Sequence, residues 1–210
     1  MKKMLTLQIT AVILISGALG GMLLFTDVYD DVHSQIVSVL CLSCIKLQPK
    51  TELDFTFATA NGEPHPAFVL ENLTRSPMFL FFSEDACQAC DIMEPVIKQL
   101  FSVDFEKTEL FYETVSFNGA NITVVYMNID HAPAEYRASL ARYDKENISG
   151  LPMFTLITLG YDHGVVRPYY ASVYGTLDPD TDEERKTLLT KIVLDGIDLY
   201  TQNHEGYTKP

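Results

Sequence analysis

Apolar residues along this chain fall into one long run, two short ones and several periodic stretches. The long run is residues 4–25, interrupted only by Thr6, Gln8, Thr10 and Ser16 and preceded by Lys2 and Lys3. About 22 residues rising ~1.5 Å each reach ~33 Å as a helix, enough for a hydrocarbon core of about 30 Å. Residues 26–48 keep helical spacing, with Val32, Ile36, Val39, Leu40 and Ile45 on one face, and Gln48-Pro49-Lys50 ends them. Residues 53–58 alternate and predict a first strand, which the Asn61-Gly62-Glu63-Pro64 cluster turns. The short continuous runs, 78–82 and 122–127, predict strands buried on both faces. Between them, residues 87–101 turn helical, with Ile92, Met93, Val96, Ile97 and Leu100 at three- and four-residue steps. Residues 133–143 predict a further helix, and 154–159 with 165–170 a hairpin turned at 160–164. Thr181 is placed to cap a last helix reaching about Tyr200, with acidic residues in its first turn. The predicted order β, β, α, β, α, β, β, α describes an α/β domain with a central mixed sheet covered on both faces.

Charge narrows the partners. There are 28 acidic against 15 basic residues, a formal net charge of −13. No surplus of cations is available to neutralise phosphates, so nucleic acid is excluded as a partner, and docking on an anionic lipid surface is disfavoured. The lysines before the long apolar run and Asp27, Asp30 and Asp31 after it place the remainder outside the cytoplasm by the positive-inside rule. Two readings of that run remain open. It is a membrane anchor, favoured because Leu23, Leu24 and Phe25 continue it, or a signal peptide cut near Ser16-Gly17-Ala18, which would leave a secreted protein. The expected organisation is thus 1–25 anchor or signal, 26–50 juxtamembrane helix and linker, and 51–210 globular domain.

The four cysteines form two pairs of equal spacing, Cys41-Leu42-Ser43-Cys44 and Cys87-Gln88-Ala89-Cys90. In an exported chain, paired cysteines point first to disulfide chemistry. Cys87 stands where a buried strand gives way to a helix, and the free N–H groups and dipole of that first turn favour a thiolate. Cys90, one turn on, lies on the same face within bonding reach. This predicts an exposed attacking thiol and a sheltered resolving thiol. For Cys41 and Cys44 three readings stay open: a redox relay, a structural disulfide, or half of a metal site, the last disfavoured by the long gap to Cys87. The five histidines, His33, His65, His131, His163 and His204, lie in turns or near termini without metal-like spacing and read as solvated. Asn72, Asn121 and Asn147 head glycosylation triplets, a weak sign of export. No metal site and no cofactor is assigned.

Three motifs in order give a resemblance. Cys87-Gln88-Ala89-Cys90 with Pro95 five residues beyond the second cysteine resembles the thioredoxin active-site helix. Val124-Val125-Tyr126-Met127-Asn128-Ile129-Asp130 is similar to that family's third-strand signature, and Gly150-Leu151-Pro152 to its cis-proline loop. The resemblance spans about 53–200 and implies a thioredoxin-like three-layer fold behind the N-terminal transmembrane helix. It implies Cys87 as nucleophile, Cys90 as resolving thiol and a cis Pro152 beside the sulfurs, with Gln88, Ala89 and Leu151 touching substrate. The implied activity is thiol–disulfide oxidoreduction on protein disulfides outside the cytoplasm, supplied by a membrane electron donor if it reduces. The alternative is a non-catalytic peptide-binding module of the same fold. Departures are plain: the family's buried strand acid falls on Phe81, its tryptophan on Ala86 and its strand lysine on Tyr126. Residues 104–120 form an insertion. Gln88 and Ala89 bring no cation to the thiolate, and Glu84, Asp85 and Asp91 oppose it, which favours a reductase or isomerase over a strong oxidant.

Overall fold

The computed structural model describes residues 54–177 and 181–210. The anchor or signal segment 4–25, the juxtamembrane helix, Cys41, Cys44 and His33 lie outside the described residues, as do the expected boundaries at 25 and 50. Among the described residues no helix is long and apolar enough to cross a membrane.

After a short helix α1 (Ala67–Asn72) come strand β1 (Met78–Ser83) and helix α2 (Gln88–Phe101). Strands β2 (Phe111–Phe117) and β3 (Ala120–Asn128) follow, then two short helices, α3 (Ala134–Arg137) and α4 (Ser139–Tyr143). Strands β4 (Met153–Asp162) and β5 (Val165–Tyr174) form a hairpin, and helix α5 (Asp182–Asn203) closes the domain. The sheet order is β2-β3-β1-β4-β5, with β1 and β3 parallel and the other pairs antiparallel. The result is an α/β domain on a five-stranded mixed sheet.

The period of two along β1 splits the core. Phe79 and Phe81 face a layer made by Met93, Val96 and Ile97 of α2 and Leu189, Ile192 and Val193 of α5. Met78, Leu80 and Phe82 face the other way, onto Val69 and Leu73 of the α1 region and Tyr143 of α4. Continuous hydrophobicity in β1 is explained by this double burial, since all six residues are buried.

The described structure corrects four expectations about elements. The described part of the expected first strand, residues 54–58, forms no strand and makes one antiparallel bridge, Thr56 to Tyr170. The insertion at 104–120 supplies β2, an edge strand paired with β3 through a turn at Asn118 and Gly119. Both turn residues have positive φ (49° and 85°), which a tight primed turn requires. The helix expected at 133–143 is two pieces, broken at Ala138. Finally, the β4–β5 turn is confined to His163 and Gly164, so both strands run longer than expected.

Candidate functional site

Parallel pairing of β1 and β3 brings their C-terminal ends side by side, Ser83 opposite Asn128. The chain leaving β1 runs through Glu84, Asp85 and Ala86 into Cys87. That loop is fastened to the one leaving β3. Asn128 Nδ2 donates to Asp85 Oδ1 at 2.8 Å, and His131 Nε2 contacts both Asp85 carboxylate oxygens at 2.9 and 3.0 Å. The Asp85 amide in turn donates to Asp130 Oδ2 at 2.9 Å. The Asn128 and His131 hydrogen bonds hold the Asp85 carboxyl below the usual carboxylate range.

Cys87 is the N-cap of α2. Its Sγ accepts the Cys90 backbone N–H at 3.0 Å, the place an oxygen side chain usually takes. Cys87 and Cys90 are joined as a disulfide, with Cα atoms 5.1 Å apart. A sulfur so placed receives a hydrogen bond and the positive end of the helix dipole, both of which hold negative charge once the bond is reduced. Exposure differs less than expected: Cys87 is 7% exposed and Cys90 2%. The nucleophile assigned by resemblance is therefore the more open of two covered sulfurs rather than a freely exposed one. Gln88 is exposed and Ala89 half-buried.

Pro152 arrives from the other side of β1. Met153 opens β4 opposite Phe82, so Leu151 and Pro152 lie at the same end of the sheet as the dithiol. The Leu151–Pro152 peptide bond is cis, and the Pro152 carbonyl accepts the Gly175 amide at 2.8 Å. Pro152 is buried and Leu151 half-buried. A buried carboxylate sets the approach to this loop. Asp144 accepts the Ser149 amide at 2.8 Å, the Ile148 amide at 3.3 Å and the Tyr174 hydroxyl at 3.0 Å. Burial holds the Tyr174 hydroxyl above the usual phenol range, so it stays a neutral donor.

The flank of α2 carries charges whose partners the sequence alone does not show. Asp91, expected to oppose the thiolate, pairs with Lys107 from the insertion. That contact raises the Lys107 ammonium above its ordinary range. Asp85 is likewise engaged, by Asn128 and His131. Lys98 bridges Glu94 at 3.0 Å and Asp104 at 3.2 Å, and its Nζ stands 4.8 Å from the Phe105 ring centre. Phe105 stacks on Tyr126 with centroids 4.2 Å apart. Sequence reading missed Asp144, Tyr174 and the Asp85–His131 contact, because nothing local signals a partner about 30 or 46 residues away. Among the described residues no three His, Cys, Asp or Glu side chains gather to hold a metal ion. No family model matches the chain, and no curated protein matches it.

Proposed function

We propose that this chain is a thioredoxin-like thiol–disulfide oxidoreductase, tethered by residues 4–25 and acting on protein disulfides outside the cytoplasm. The observation that carries the reading is the Cys87–Cys90 disulfide at a strand-to-helix turn, with the Cys87 sulfur capping the helix. Reduced, the Cys87 thiolate attacks a substrate disulfide. One substrate sulfur leaves as a thiolate and a mixed disulfide forms. Cys90 then attacks the Cys87 sulfur, the second substrate sulfur departs, and the Cys87–Cys90 bond is restored. The substrate has gained two electrons and two protons, and a protein donor must return two electrons to the dithiol. Gln88, Ala89 and Leu151 are the residues proposed to contact substrate. Cys41 and Cys44 are proposed as the relay from a membrane donor, a reductase or isomerase direction being favoured.

In the full-length chain, Cys90→Ser accumulates covalent adducts with partner proteins that dithiothreitol dissolves, whereas Cys87→Ser traps almost none. Equal trapping by both variants overturns the assigned roles. The coverage of both sulfurs favours one competing reading, a peptide-binding module whose disulfide is incidental. Under that reading neither variant traps anything, and the reduced Cys87 is alkylated slowly at neutral pH.

A further inference from the structure

The resolving step requires Cys90 to lose a proton, and its surroundings offer few acceptors. Cys90 is 2% exposed, so bulk water does not reach it readily. The inner face of α2 packs on Phe81, Tyr126 and Phe154, of which two carry no ionisable group. Burial pushes the Tyr126 hydroxyl further above neutrality. Around the helix start, Asp85 is engaged by Asn128 and His131, and Asp91 by Lys107. From the segment after α2, Asp104 lies beyond Lys98. Glu94 remains. It stands four residues after Cys90 in the same helix, where Cβ atoms are about 5–6 Å apart. Helical side chains lean toward the N-terminus, so Glu94 overlies the turn that holds Cys90. Its side chain is only 13% exposed, and its charge acts on both the Tyr126 hydroxyl and the Lys107 ammonium. Lys98 Nζ stands 3.0 Å from its carboxylate and is itself anchored by Asp104 at 3.2 Å.

We propose that Glu94 is the proton acceptor for Cys90. This rests on the oxidoreductase reading and deepens it. The Cys90 S–H proton passes to the Glu94 carboxylate, directly or through one water, as Cys90 Sγ bonds to Cys87 Sγ. The Cys87–substrate S–S bond breaks, and the departing thiolate recovers the proton from Glu94 or solvent. The helix thereby supplies, from its own second turn, a base that the strand beneath it lacks.

The test uses the reduced full-length chain carrying Cys41→Ser and Cys44→Ser, mixed with 5,5′-dithiobis(2-nitrobenzoate). Attack by Cys87 releases a first thionitrobenzoate, and resolution by Cys90 a second. Glu94→Gln should leave the first phase unchanged and slow the second by about 10²-fold at pH 7, the low end for a lost general base. The slowed phase should rise about tenfold per pH unit, as free thiolate becomes the only route. Glu94→Asp should recover part of the rate, and formate added to Glu94→Ala should accelerate the second phase alone. A second phase as fast in Glu94→Gln as in the parent, with no change in pH profile, overturns the proposal while leaving the oxidoreductase intact. Loss of the first phase in the parent, or its survival in Cys87→Ser, overturns the underlying reading instead.

Discussion

His65 lies against Tyr143 and Tyr170, with Nδ1 3.1 Å from the Tyr143 hydroxyl, and is not the solvated turn residue its neighbours Pro64 and Pro66 suggest. Burial lowers its pKa below the ordinary 6.5, an effect the Phe57 carbonyl opposes and Arg142 reinforces. The folded protein therefore binds this proton less readily than the unfolded chain. Stability from neutral His65 is present above about pH 6.5 and is lost as pH falls from there toward the lowered folded value. Thermal melts between pH 7.5 and 5 should show a falling midpoint in the parent and a shallower fall in His65→Gln. Parallel curves would remove His65 as the cause. Asn72 shows the same gap between local and tertiary reading. Its amide is buried, donating to Ser76 and accepting from Thr123, so this glycosylation triplet is closed in the folded chain, while Asn121 and Asn147 are exposed.

At the scale of elements, long periodic segments were legible and edge elements were not. β1, β3, α2 and α5 fall where their apolar runs put them, and Thr181 caps α5 by accepting the Glu184 amide. β2 was readable in principle, since Asn118-Gly119 between alternating residues is a strong hairpin signal. Its mostly exposed edge position leaves it little apolar content to announce it. The packing of α5 on β4 rests on Gly196. A Cβ there would stand 2.8 Å from Leu156 Cγ, and Thr158 Oγ1 donates to the Gly196 carbonyl at 2.6 Å. Helix propensity alone favours alanine by about 1 kcal/mol, but the close approach decides the sign. Gly196→Ala should destabilise by roughly 1–3 kcal/mol, read as a lower denaturation midpoint with unchanged slope. An equal or higher midpoint would show that α5 can shift outward at little cost.

On the scale of the whole molecule, the insertion does more than lengthen a loop. It builds the sheet edge beside β3, places Phe105 on Tyr126, and lends Lys107 to Asp91 at the mouth of the dithiol. Residues 54–58 meet the opposite edge instead, through Thr56 and Tyr170. Under the proposed tether, topology in the cell rests on residues 4–25. As an uncleaved anchor, they should keep the full-length protein in the membrane pellet after alkaline carbonate washing, with its N-terminus intact. A carbonate-soluble protein beginning near Leu19 or Gly20 would identify a cleaved signal instead. The sequence by itself determined the buried strands and the dithiol helix, because each is written in local periodicity or in a spacing of a few residues, while the proline loop was expected only through the resemblance. Only the tertiary structure decided which edge the first segment meets and which acids near the sulfurs are paired. Those outcomes depend on partners brought together across the sheet, and local propensity carries no information about them.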